Sequence, residues 1–319
     1  MTTTRPLIRA AAVDRRRHRT PSLLYSSARE GLRDLLTAVL TPAARGVLLP
    51  AYVGWSPREG SGVLDPVLAA GAEPRFHALR DDLTVDLDDM ERRLVEGGVA
   101  VVVVIHYFGR TDPSLAAARA LADRHGALLV EDLAHGFFSA RSGGEAGRHG
   151  HAATFSLHKM LPLPEGGMVT YRDPSIVTSQ RSTRPDLAGE LLDLDHRAAA
   201  EHRRDVFEGL STRLRALEGH DRDFTLPWTE LGHDVPQSLP VVVTRADRDA
   251  VWRGMNAEGW GVVSLYHTLV EEVRADFPRE LRSSRRVLNL PVHQEVDPTL
   301  LDGLVESFAR HVRASGGKG

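Results

Sequence analysis

The chain has 319 residues, 42% of them apolar and 26% charged, with a formal net charge of −3 and no cysteine. That arithmetic excludes a disulfide framework, a thiolate metal site, a thiol nucleophile and a broadly basic nucleic-acid binder, and leaves enough apolar residues for one large core or two moderate ones. Of the 40 basic residues only Lys159 and Lys318 are lysine and the other 38 are arginine. Lys318 lies in the polar run SGGKG, so Lys159 is the candidate for a place where an amine serves and a guanidinium does not.

Residues 1–20 are Arg-rich, with no apolar stretch behind RRR, and are expected to form a surface arm rather than an export signal. Helical apolar spacing predicts a helix over 28–40, followed by a short strand, GVLLP, at 46–50. A helix over 64–71 ending at Gly71 precedes a strand at 73–79, and a polar helix over 86–98 is stopped by glycines. VAVVVVIHYFG, 99–109, reads throughout as a fully buried strand, though its apolar run is too short to cross a bilayer. A helix over 113–126, a strand at 127–132 and a short strand, AATF, at 152–155 continue the alternation. Such alternation predicts a parallel sheet covered on both faces, with its ligand beyond the carboxyl ends of the strands.

After Arg172 the texture changes. Residues 176–235 read as polar and helical, with a long helix at 196–217. A strand at 237–244, a helix at 245–259, a strand at 260–266, the segment RRVLNLPVH and a last helix follow. The organisation expected is an arm (1–20), a large domain (21–185) that would hold the ligand, and a small C-terminal domain (186–319).

Several polar groups fall at strand exits. Ser26–Ser27–Ala28–Arg29 opens a helix, where backbone N–H groups can meet a phosphate, although a serine there is also an ordinary helix cap. Glu131–Asp132 ends a buried strand, and a carboxylate at that exit can pair with a heterocyclic N–H or cap the next turn. Ser156–Leu157–His158–Lys159 offers an amine as nucleophile, base or phosphate partner, or simply a solvated lysine. Taken as a set they are what pyridoxal phosphate requires: an anion cradle, a carboxylate at the pyridine nitrogen and an amine. The 15 histidines show no ligand spacing that coincides with a carboxylate, so no metal site is assigned.

VVVVIHYFGRTDP, LADRHGALLVEDLAHGFFSA and ATFSLHKMLPLPEGGMVTY carry, in order, stretches that resemble H-x-x-G, E-D-x-A-Q and F-S-x-H-x-x-K-x-x-x-x-x-E-G-G-M. That series resembles the DegT/DnrJ/EryC1/StrS aminotransferase family over about residues 22–310. The resemblance implies an α/β, fold-type-I PLP-dependent transferase, with a mostly parallel sheet in the large domain, a smaller C-terminal α+β domain and pyridoxal 5'-phosphate as cofactor. Lys159 would form the Schiff base and move the proton, and Asp132 would keep the pyridine nitrogen protonated. Ser27, Ala28, Arg29, Ser156 and His158 would face the phosphate. Trp55, with Tyr52 as competitor, would stack on the ring.

Three departures stand out. His158 directly precedes Lys159, as in cysteine desulfurases, whose chemistry the absence of cysteine excludes. His135 stands where the family has Gln, within reach of the cofactor's phenolic oxygen and with a charge expected to vary near neutral pH. The 54–66 stretch is longer than its counterpart and 175–235 is shorter, which points away from the usual nucleotide-sugar substrate. Glu59, Ser61 and Tyr266 are candidate pocket residues, and Arg286 a candidate for a substrate carboxylate. The activity implied is transamination of an amino sugar, aminocyclitol or amino-acid-like intermediate of specialised metabolism. The alternatives are another PLP reaction (lyase, decarboxylase or C–C bond formation) or a non-catalytic PLP-binding regulator. A cytoplasmic homodimer is expected, taking a small-molecule amino donor and acceptor, with no nucleic-acid or membrane partner.

Overall fold

The computed structural model describes residues 21–177, 182–218 and 223–316. The expected arm at 1–20 and Lys318 lie outside the described residues. The first half runs β1 (Ser22–Tyr25), α1 (Ala28–Val39), β2 (Gly46–Pro50), α2 (Leu64–Ala69), β3 (Glu73–His77), α3 (Leu87–Val95), β4 (Val99–Ile105), α4 (Leu115–Arg124), β5 (Leu128–Asp132), β6 (Ala152–Ser156) and β7 (Gly167–Tyr171). These strands form one seven-stranded sheet in the order β1-β7-β6-β5-β4-β2-β3. β3, β2, β4, β5 and β6 are parallel, whereas β7 runs antiparallel to both β6 and β1.

The apolar run of β4 explains its central place. All seven of its residues are buried, and alternate side chains enter different cores: Val101, Val103 and Ile105 on one face, Val102 and Val104 on the other. A strand apolar on both faces is stable only with cover on both sides. Local capping starts the covering helices. The Ser27 hydroxyl accepts the Glu30 N–H at 3.2 Å to open α1, and Asp86 accepts the Asp89 N–H at 3.2 Å to open α3. Caps of this kind contribute about 1 kcal/mol each.

The second half contains α5 (Leu187–Leu192), α6 (His196–Glu218), β8 (Phe224–Thr225), β9 (Ser238–Val243), α7 (Arg248–Ala257), α8 (Pro278–Ser284), β10 (Val287–Pro291) and α9 (Leu301–Gly316). Its three strands make an antiparallel sheet, β10-β9-β8. Glu280 on α8 ties this layer to the large sheet's layer by accepting the Leu79 N–H at 2.7 Å. Among the described residues no helix is long and apolar enough to cross a membrane.

The structure corrects two predicted strands. β4 stops at Ile105, because Tyr107–Gly109 turn sharply, with φ of 57° at Phe108 and 90° at Gly109. Residues 260–266 form only a single bridge, Val263 to Asn289. The Asn256 side chain bonds both the N–H and the C=O of Val262 at 2.8 Å, and left-handed Gly261 and Tyr266 break the extended run. β1 and β7, which complete the sheet, carried no separate sequence prediction; runs of four or five residues hold too little periodicity.

Candidate active site

The end of β6, the start of β7 and the start of α1 meet at one point. Ser156 pairs with Gly167 across the sheet, the Leu157 N–H reaches the Gly166 carbonyl at 2.9 Å, and the Gly166 N–H reaches the Ser26 carbonyl at 2.9 Å. Nothing larger than glycine fits at 167: a Cβ there would lie 2.2 Å from the Ser27 carbonyl carbon and 2.4 Å from the Ala28 nitrogen. The E-G-G run thus lets the first turn of α1 sit directly on the strand beyond Lys159. The Ser27 hydroxyl is engaged in capping, so the anion-binding capacity of this turn comes from the Ala28 and Arg29 N–H groups, which have no partner within the helix.

Asp132 closes β5 beside this turn and is 7% exposed. One of its carboxylate oxygens accepts the Ala134 N–H at 2.8 Å; the other has no hydrogen bond among the described residues. Burial raises its pKa against the pull of that N–H and of Lys159 and His106. Lys159 is exposed as a residue, while protein atoms crowd its ammonium. Desolvation therefore lowers its pKa; the charges of Asp132 and Glu59 oppose the shift and Arg29 adds to it.

His135 is buried, its ring stacked on Phe108 with centroids 6.3 Å apart, and its Nδ1 has no partner among the described residues. Burial, reinforced by Lys159, holds its pKa well below that of a free histidine. The shift favours the neutral imidazole over a charge that varies near neutral pH. His158 is shifted downward as well, chiefly by desolvation and then by Lys159.

Glu131, read from the sequence only as part of the strand-end acid, and His106, not singled out, support this group. Glu131 accepts the N–H groups of Gly147 (2.6 Å), His149 (2.9 Å) and Gly150 (2.6 Å), and the His106 Nε2–H at 3.0 Å. His106 Nδ1 accepts the Asp112 N–H at 3.2 Å, which places the ring proton on Nε2, and the His106 N–H donates to the Asp132 carbonyl at 3.0 Å. Burial opposes the charge on Glu131, but these donors overcome it and hold its pKa below the usual carboxylate range. The sequence signal was present, an acid next to Asp132 and a histidine at the exit of β4; their pairing across 25 positions was not.

An aromatic wall stands beside Asp132. Tyr52 lies 5.1 Å from Tyr266 and 5.4 Å from Tyr107, centroid to centroid, and Tyr266 is 6.1 Å from His135. Burial raises the pKa of Tyr266, and the nearby Asp132 carboxylate raises it further. Trp55, the first candidate for ring stacking, is 42% exposed and in none of these ring contacts, whereas its competitor Tyr52 is buried at the centre of them. Glu59 is brought close to Lys159 and His158, and its carbonyl accepts a bond from Arg29. Ser61 is not presented to the group: it is buried, and its hydroxyl accepts the Leu64 N–H at 3.2 Å at the start of α2. Arg286 also lies apart, lining a different cavity.

The arrangement fits pyridoxal phosphate on three observations. Among the described residues, a buried carboxylate keeps one oxygen without a partner, a lysine has its amine form favoured by desolvation, and a helix start offers N–H groups with no partner within the helix. The fold is that of the fold-type-I PLP-dependent aminotransferases. An aminotransferase, TlmJ, from Streptoalloteichus hindustanus superposes with a TM-score of 0.73 at 20% identity, over 92% of this chain and 86% of that one. NtdA from Bacillus subtilis, solved with bound cofactor PMP, superposes with a TM-score of 0.75 at 17% identity, over 92% and 73%. Residues 60–185 match the model of the DegT/DnrJ/EryC1/StrS aminotransferase family. The chain is also 32% identical over 123 residues to the L-glutamine:2-deoxy-scyllo-inosose aminotransferase of Streptomyces kanamyceticus, a match covering 38% of this chain and 28% of that protein. Matches to the first three curated relatives span only 18% to 31% of those proteins' lengths.

Proposed function

We propose that the protein is a PLP-dependent aminotransferase acting on an amino sugar, aminocyclitol or amino-acid-like intermediate of specialised metabolism. The observation that carries this reading is the nearness of Asp132 to Lys159. One is a buried carboxylate with an oxygen to spare, the other a lysine whose neutral form desolvation favours, and they stand at neighbouring strand ends. The relatives' names support the substrate class, being aminotransferases of a scyllo-inosose and, in Vibrio cholerae, a GDP-perosamine synthase.

The cofactor, when bound, would supply an aldehyde for amine exchange and a ring that accepts electron density. Lys159 would hold that aldehyde carbon and, once displaced by a substrate amine, carry the proton between substrate and cofactor carbons as a neutral amine. Asp132, fixed by Ala134 and backed by His106 through the backbone, would receive the ring N–H on its second oxygen. The Ala28 and Arg29 N–H groups would take the phosphate, with Ser156 and His158 beside them. Neutral His135 would meet the ring's oxygen without adding charge, and Tyr266 would exclude water on the side facing the small sheet.

The test is spectroscopic. Purified protein given pyridoxal phosphate should develop a visible band that Lys159→Ala lacks, and a colourless wild type would overturn the reading. L-Glutamine or another amino donor should bleach the band with release of the matching keto acid; release of carbon dioxide or ammonia instead would mark a different reaction on the same scaffold.

A further inference from the structure

A cavity of about 490 Å³ opens between the 81–83 turn of the large sheet's layer and the small sheet, and no residue of the Lys159 group lines it. That volume is typical of small-molecule sites, which run to roughly 300–1,000 Å³. Leu83, Pro240 and Val242 supply apolar surface, and Arg279, Arg282 and Arg286 bring three guanidinium groups.

The acids on its rim are already committed. Asp81 faces Arg279 at 3.7 Å, while Asp82 faces Arg110 at 3.4 Å and accepts the Thr84 hydroxyl at 2.7 Å. Arg282 and Arg286 have no carboxylate partner among the described residues. Two uncompensated guanidinium forks over an apolar surface match a carboxylate or phosphate head on an apolar body. The walls are held in place: Arg279 donates to the Leu79 carbonyl at 2.6 Å, Glu280 accepts the Leu79 N–H, and the turn keeps buried Leu83 at a φ of 64°. A leucine persists in that left-handed region only where its surroundings enforce it.

We propose that this crevice is a binding site for a small organic oxyanion, separate from the Lys159 group. Arg282 and Arg286 hold the charged head, and the apolar body rests on Pro240 and Val242. The ligand bridges the turn at 81–83 and the small sheet, so binding ties the two layers together.

The full chain, treated with pyridoxal phosphate and dialysed, is titrated calorimetrically with phenyl phosphate and, separately, with benzoate; the two arms decide which head group the site takes. At least one should bind saturably at one molecule per chain. Arg282→Gln and Arg286→Gln should each weaken that binding severalfold and the double variant at least tenfold, while Arg285→Gln, outside the cavity lining, and Lys159→Ala leave it unchanged. Absence of saturable binding by both compounds, binding untouched by the double variant, or binding lost in Lys159→Ala would overturn the proposal. Because the double variant reads the crevice alone, the outcome stands whether or not the chain takes up pyridoxal phosphate.

Discussion

The ring of Tyr266 occupies the space that a side chain at Gly54 would need: a Cβ there would lie 2.9 Å from Tyr266 Cδ1. The contact is fastened on both sides, because the Trp55 N–H reaches the Thr268 carbonyl at 2.9 Å and the Val270 N–H reaches the Val53 carbonyl at 3.0 Å. Tyr266 is thus carried to the Asp132 group by a segment far away in sequence. Gly54→Val should displace it and cost about 1–3 kcal/mol through overpacking. Denaturant unfolding would show the loss, and donor-induced bleaching of the cofactor band should slow with it. A variant as stable and as active as the parent would show that Tyr266 can move freely.

Gly167→Ala is a harsher change. Its methyl group would meet the backbone of Ser27 and Ala28 rather than the end of a flexible side chain, so α1 would have to lift from β7. We expect a loss at or above the upper end of the usual overpacking range, about 3 kcal/mol, together with weaker retention of pyridoxal phosphate. Thermal unfolding and dialysis of the loaded protein would check both.

Removing the charge from Glu131 separates support from chemistry. Glu131→Gln leaves His106 and three backbone donors facing an amide, and breaking one side of a buried pair costs about 3–5 kcal/mol. The depressed pKa of Glu131 gives the sign for pH. Its contribution is present above the unfolded carboxylate value, about 4.3, and is lost as pH falls through the lower folded value. The parent should therefore lose stability more steeply than the variant on acidification below about pH 4. Parallel acid limbs in urea titrations would contradict this.

The lowered pKa of Lys159 predicts how the apo protein captures pyridoxal phosphate. The amine is the reactive form, so capture should rise with pH and level off below the ordinary lysine value of about 10.4. The Asp132 carboxylate raises that pKa, so Asp132→Asn should move the midpoint to lower pH. Borohydride trapping followed by mass spectrometry across a pH series measures it; a midpoint that stays or rises counts against the assigned electrostatics.

Local pattern was enough for much of this protein. The all-apolar run of β4 requires cover on both faces, the alternation of runs and capped helices requires a parallel sheet, and Lys159 and Asp132 fall at strand exits because strand length is set by the apolar run itself. The E-G-G run was legible as a motif, but its purpose, a helix start lying within 2.2 Å of where a Cβ would be, exists only once α1 is packed on β7.

Tertiary structure decided what depends on partners distant in the chain. Burial made His135 neutral, Glu131 and His106 found each other across the sheet, Tyr52 and Tyr266 rather than Trp55 formed the aromatic wall, and Arg286 went to a separate crevice. The physical reason is the same in each case. A residue's type and spacing determine which element it joins, whereas its charge, its exposure and its neighbours are set by desolvation and packing against segments that periodicity does not register.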